Sequence, residues 1–143
     1  MDYKCKIEKK RITVVSLNRR FKMKQNISES ELEVMKILWN TNKATSAEII
    51  ELLKDKTEWK PKTIQTLITR LVSKEFVNVD KSNKKSYIYS PNICEREYKN
   101  YASKSFLEKL YNGSINKMVL SFVKDKKLSK EEIEELKDIL RDE

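Results

Sequence analysis

Lys62, Thr63, Gln65, Thr66, Thr69 and Arg70 are the residues of this sequence whose types and spacing suit recognition chemistry. They interleave with Ile64, Leu67, Ile68, Leu71 and Val72, which recur at the helical period and form an apolar stripe. The run from Lys60 to Glu75 is therefore expected to be one helix with two opposed faces. Its polar face carries hydroxyls, an amide and positive charge, with Ser73 beside them and no carboxylate before Glu75. Arg, Gln and Thr can address base edges in a major groove, while Lys and hydroxyls hold phosphates. On position alone, Thr63, Gln65, Thr66 and Arg70 are assigned to bases, and Lys62 and Thr69 to phosphates. An ordinary amphipathic surface helix would share much of this pattern, so the surrounding elements decide.

Upstream, Ser28 with Glu31 is a capping signature, and Leu32, Met35, Leu38 and Trp39 follow on one face. Thr45 with Glu48 repeats the signature before a short helix bearing Ala47, Ile49, Ile50, Leu52 and Leu53. Downstream, FVNVD and SYIYS alternate in the β manner around KSNKK, a polar turn that places Lys81, Lys84 and Lys85 at the tip. Three helices followed by a two-stranded hairpin is the order of a winged helix-turn-helix, with the hairpin as the wing. Lysines there would meet backbone phosphates, although a solubilising turn has the same composition.

Beyond Pro91 the pattern is helical throughout. Tyr98, Tyr101, Phe106, Leu107, Leu110 and Tyr111 line a long segment ending at Asn112-Gly113, which holds the single glycine of the chain. Met118, Val119, Phe122 and Val123 mark a shorter helix; Ser129 with Glu132 opens a last one carrying Ile133, Leu136, Ile139 and Leu140. So few residues cannot enclose that much apolar surface alone, so a homodimer is expected, with Leu107, Leu110, Met118, Val119, Phe122, Ile133, Leu136, Ile139 and Leu140 in its interface. The fold class is thus mainly α with a small β-hairpin wing, a winged helix-turn-helix followed by a helical dimerisation region. The expected domains are a basic extension over 1–22, upstream sequence or a disordered arm, then DNA binding over 23–92 and dimerisation over 93–143.

Charge distribution agrees with this division. The net charge is +9, and residues 93–143 carry eleven basic and eleven acidic side chains, so the whole excess precedes them. With no His, one Gly and no nucleophile motif, the chain offers no acid–base pair and no phosphate-cradling loop, and an enzyme is not expected. Cys5 and Cys94 stand far apart and read as incidental thiols; no metal, cofactor or small-molecule ligand is indicated. No apolar run approaches a membrane span and no secretory pattern opens the chain, so a cytoplasmic location is expected.

ISESELEVMKILW, PKTIQTLITRL, KSFLEKLYNGSINKMVLSFV and LSKEEIEELKDIL together resemble the BlaI/MecI penicillinase repressors in order and spacing, over residues 27 to 140. The resemblance implies a dimeric repressor that binds a double-stranded operator with an inverted TACA/TGTA repeat, upstream of a β-lactamase or related resistance gene. It also implies release through a membrane sensor-protease system that causes the chain to be cut before a Phe in YASKSFLEKLY, between Ser105 and Phe106. Ser105 stands where several relatives have Asn. Copper-responsive repressors share the winged helix but add C-terminal cysteines, and none follows Cys94 here. A winged helix used only for protein interaction, or a family repressor of an unrelated operon with another release mechanism, are the alternatives.

Overall fold

The computed structural model describes residues 26–141, and the expected extension over 1–22 lies outside them. The elements in order are α1 (Glu29–Thr41), β1 (Ala44–Thr45), α2 (Ser46–Lys54), α3 (Pro61–Ser73), β2 (Val77–Asp80), β3 (Ile88–Pro91), α4 (Glu95–Tyr111), α5 (Ile115–Lys124) and α6 (Lys130–Arg141). They divide into two units, the first ending at Tyr98 and the second starting at Lys99. No helix among the described residues is long and apolar enough to cross a membrane.

Both expected capping boxes form. Ser28 Oγ accepts from the Glu31 N–H at 3.1 Å and Glu31 Oε1 accepts from the Ser28 N–H at 2.9 Å. Thr45 and Glu48 repeat the exchange at the start of α2. Each box satisfies two donors that the first turn of a helix would otherwise leave bare. From these starts, Val34, Met35, Ile37, Leu38 and Trp39 of α1 and Ile49 and Leu53 of α2 enter one core with Ile64, Leu67, Ile68 and Leu71 of α3. Leu52, expected on the apolar side of α2, is instead largely exposed, because the short helix turns only Ile49 and Leu53 fully inward.

The sheet has three strands where two were expected, in the order β1-β3-β2. Ala44 and Thr45 pair antiparallel with Tyr89 and Ile88, and Val77 to Asp80 pair with Pro91 to Ile88. The hairpin thereby gains a strand on its other edge and is tied to the chain between α1 and α2. Phe76, Val77 and Tyr89 are buried and close the core from the sheet side. Cys94 is also buried, and Cys5 lies outside the described residues.

Trp39 donates its indole N–H to the Ile93 carbonyl at 2.8 Å, fastening α1 to the start of α4. Tyr98 stacks its ring near Trp39 at 5.8 Å and meets Phe76 edge-on at 6.2 Å. Later in α4 the helix stops as expected: Gly113 has φ +80 and its N–H reaches the Leu107 carbonyl at 2.9 Å, a glycine-dependent termination. Ser129 and Glu132 form a third capping box at the head of α6.

Glu31 does more than cap. It is 1% exposed, and its Oε1 also accepts from Lys74 Nζ at 2.7 Å, while Lys74 donates to the Asn26 carbonyl at 2.9 Å. Burial opposes ionisation of this carboxyl, but the hydrogen bonds from Lys74 and Ser28 outweigh it and hold Glu31 below its ordinary value of 4.5. A carboxyl depressed in the folded state stabilises the fold above its unfolded pKa, and that stability is lost as pH falls through the folded value. Urea titrations should therefore show stability falling below about pH 4.5. Glu31→Gln should lower stability at neutral pH by about 1 to 3 kcal/mol and flatten that acid slope. An acid slope identical in the Gln variant would remove Glu31 as its source.

Candidate nucleic-acid interface

α3 begins at Pro61, whose missing N–H falls where a helix has no intrahelical acceptor for it. Its N-cap Lys60 provides no side-chain cap and its first turn has no acidic residue. Ile64, Leu67, Ile68 and Leu71 are buried, and α3 packs on α1, α2 and β2. Because those four share one side, the remaining positions are forced outward: Lys62, Thr63, Thr66, Thr69 and Arg70 are exposed and Gln65 is half-buried. Val72, expected in the stripe, is half-buried at its edge.

Two hydroxyls on this face are already engaged. Thr66 Oγ1 donates to the Lys62 carbonyl at 3.0 Å and Thr69 Oγ1 to the Gln65 carbonyl at 2.9 Å. At the far end of α3 lies Lys74, whose ammonium is spent on Glu31 and Asn26 rather than on the exposed face. No residue pattern in the sequence links Glu31 to Lys74, since the partners stand 43 residues apart and the capping signature that announces Glu31 says nothing of Lys74.

In the wing, Lys81, Lys84 and Lys85 are exposed in the turn between β2 and β3. Asp80 Oδ1 accepts from the Ser82 N–H at 2.9 Å and from its hydroxyl at 2.6 Å, and Asn83 Oδ1 accepts from the Lys85 N–H at 3.0 Å. These bonds draw the Asp80 carboxyl below its ordinary range and give the tip a defined turn. Lys81 sits with its ammonium 5.7 Å from the centroid of the Tyr87 ring, a cation–π contact that the sequence did not signal. Lys84 and Lys85 are in no ion pair among the described residues. The structure therefore gathers the six α3 side chains on one helix face and the three lysines in one turn of the same unit. No hydrogen bond joins the two groups among the described residues.

The second unit holds the other singled-out residues. Ser105 is half-buried and Phe106 is 45% exposed within α4, its ring centroid 6.0 Å from that of Tyr111. Phe106, expected to be core, is thus not enclosed within a single chain. Leu107, Met118, Val119, Phe122 and Ile133 are half-buried, while Leu110, Leu136, Ile139 and Leu140 are exposed. Tyr111 and Ser121 approach at 3.3 Å through their hydroxyls and join α4 to α5. No group of His, Cys, Asp and Glu among the described residues is arranged to hold a metal ion.

Comparison with known proteins adds a family to this geometry. The model of the family described as penicillinase repressor matches residues 27–142. The chain is 44% identical to the penicillinase repressor of Bacillus licheniformis over 116 residues, 81% of this chain and 90% of that one. It is 46% identical over 114 residues to the methicillin resistance regulatory protein MecI of Staphylococcus aureus strain N315, 80% of this chain and 92% of the relative. Among solved structures, the solution structure of the B. licheniformis BlaI monomeric form in complex with the blaP half-operator is 40% identical. It covers 52% of this chain and 89% of that chain, with a TM-score of 0.46.

Proposed function

The chain belongs to the penicillinase repressor family, and from that premise we propose that it is a sequence-specific DNA-binding transcriptional repressor of a β-lactamase or related resistance gene. The observation that carries the reading is α3, a helix locked by its apolar side and bare on a polar, carboxylate-free side. Repression of this kind needs occupancy of promoter DNA and no chemistry, so the protein is not an enzyme. The division of labour is DNA binding over residues 23–92 and dimerisation over 93–143. A cytoplasmic location follows from the DNA partner.

In this reading α3 enters a major groove and Arg70 and Gln65 address base edges, while Lys62, Lys81, Lys84 and Lys85 lie on phosphates. Arg70→Ala or Gln65→Ala should weaken binding to the duplex that the protein selects from a random pool by roughly 1 to 3 kcal/mol and relax its choice of sequence. Lys84→Ala with Lys85→Ala should weaken binding to all duplexes alike and reduce the slope of log K against log salt by up to about two. Helix variants that bind selected and random DNA as the parent does would point instead to a protein-interaction module.

A homodimer fits the exposed apolar side chains of the second unit, and an inverted-repeat operator would match its two-fold symmetry. Leu140 is 71% exposed in the single chain, so Leu140→Asp disturbs the chain's own packing little while opposing association. Sedimentation of that variant should show monomer where the parent is dimeric, with weaker operator binding. A variant that remains dimeric would remove the C-terminal part of α6 from the interface.

Release is proposed to follow cleavage between Ser105 and Phe106 in response to a membrane sensor-protease system. The bond lies inside α4, so a protease must first catch the helix locally open. Cutting there would part α5 and α6 from the DNA-reading unit. Mass spectrometry of the protein from β-lactam-treated cells should find chains beginning at Phe106. Full-length chains alone, with the target gene switched on, would exclude this mode of release.

A further inference from the structure

Thr66 and Thr69 stand on the exposed face of α3, but their hydroxyl protons are committed. Thr66 Oγ1 donates to the Lys62 carbonyl at 3.0 Å and Thr69 Oγ1 to the Gln65 carbonyl at 2.9 Å. A threonine hydroxyl has one proton to give, and phosphate oxygens can only accept. While these bonds stand, neither side chain can donate to a DNA backbone, and the assignment of Thr69 to phosphate loses its chemistry.

The same bonds fix what each side chain presents instead. With Oγ1 drawn against the helix backbone, the other Cβ substituent, the γ-methyl, is held away from that carbonyl. Both residues are exposed, which leaves their methyl groups free to face outward beside Arg70 and Gln65. Three residues apart, they are neighbours on the helix surface, offset by roughly 4.5 Å along the axis, against about 3.4 Å between stacked bases. In the major groove the one apolar group that a base pair offers is the 5-methyl of thymine.

We propose that Thr66 and Thr69 determine sequence by packing their methyls on thymine 5-methyl groups of neighbouring base pairs, and not by hydrogen-bonding through their hydroxyls. The inference rests on the DNA-binding reading of α3 given above. It makes Thr69 a specificity-determining residue, and it splits the polar face into donors at Arg70 and Gln65 and an apolar pair between and beside them.

The test uses the full chain and the duplex that it selects from a random pool. Thr66→Val and Thr69→Val delete the hydroxyl and keep the shape, at exposed helix positions where Val and Thr have similar helix propensity. They should bind the selected duplex within about twofold of the parent, because the hydroxyl makes no contact with DNA. Thr66→Ser and Thr69→Ser keep a hydroxyl and delete the methyl; each should bind about fourfold more weakly, the worth of one buried methyl-sized group. Replacing the thymines of the half-site one at a time by deoxyuridine removes the partner methyl. Two of these replacements should weaken the parent and the Val variants by a similar factor and leave the matching Ser variant unaffected. Circular dichroism spectra of all four variants should match that of the parent, so that a loss of binding is not a loss of fold.

Val variants that weaken on selected and random DNA alike would make the hydroxyls phosphate ligands and overturn the proposal. Weakening on the selected duplex alone would make them hydrogen-bonding base readers, which overturns it equally. So would a parent indifferent to every uracil replacement. Failure of the DNA-binding reading itself looks different: the parent protein would then select no sequence from the pool.

Discussion

The burial of Ile64, Leu67, Ile68 and Leu71 on one side of α3 is the constraint on which the first unit depends. Each is almost wholly withdrawn from solvent, and burying a side chain of this size is worth about 1.5 to 3 kcal/mol. Four such residues on one side leave the helix a single rotational setting. A turn of one residue about its axis would carry Thr66 or Thr69 toward the core and desolvate a hydroxyl where only apolar partners wait. The outward direction of Lys62, Gln65 and Arg70 is thus set by residues that never meet a ligand. α1, α2 and the sheet have one shared task, to line the socket.

Rotation is only one freedom of a packed helix; its ends must also be held. At the front, Pro61 pre-sets the backbone for the first turn. At the back, Lys74 follows the last turn and anchors to Glu31 and to the Asn26 carbonyl. A cation at a helix C-terminus is favoured by the unpaired carbonyls there. The buried carboxylate it reaches is costly by itself, and such pairs seldom add net stability over an apolar equivalent. What the pair adds is register. Glu31 is fixed by its own capping box, so Lys74 has one place to go, and α3 cannot slide along α1. Trp39 does the corresponding work at the other end of α1, where its indole N–H pins the chain at Ile93 and its ring meets Tyr98.

What the sequence made legible was local. Ser28 with Glu31, Thr45 with Glu48, Ser129 with Glu132 and the lone Gly113 each announce a helix end within four residues, and each end lies where that pattern put it. The two faces of α3 were legible for the same reason, since periodicity is carried by near neighbours. Features that join distant segments were not. β1 is two residues long, too short to show alternation, and exists only because β3 offers it a free edge. Leu52 is one of several apolar residues that mark α2, and only packing reveals that the helix leaves it exposed. The Glu31–Lys74 pair and the Lys81–Tyr87 contact likewise leave no mark in spacing. In the candidate site, the face on which the residues stand could be read from the chain, but the state of their hydroxyls could not. A back-bonded threonine and a free one are the same letter.

The second unit poses the opposite problem to the first. Its helices have good local credentials, with a cap at Ser114, a box at Ser129 and a glycine stop between α4 and α5. Yet none of the residues of α4, α5 and α6 is fully buried in a single chain. Local signals can start and stop a helix, but they contribute only about a kilocalorie each, and most helical stability comes from covering an apolar face. α5 and α6 have such faces without a cover of their own. A second copy of the chain would supply such a cover, and the proposed function would call for one. One α3 with a few outward side chains can distinguish only a few base pairs, and each mismatch costs about 1 to 3 kcal/mol. Discrimination against the many competing sites of a genome therefore needs two readers acting together, with the second held at high effective concentration by the first. The same apolar surface that would be a solubility liability in a monomer would become, in a pair, the source of that coupling. A cut anywhere between the reader and this surface would then remove the coupling without damaging the reader.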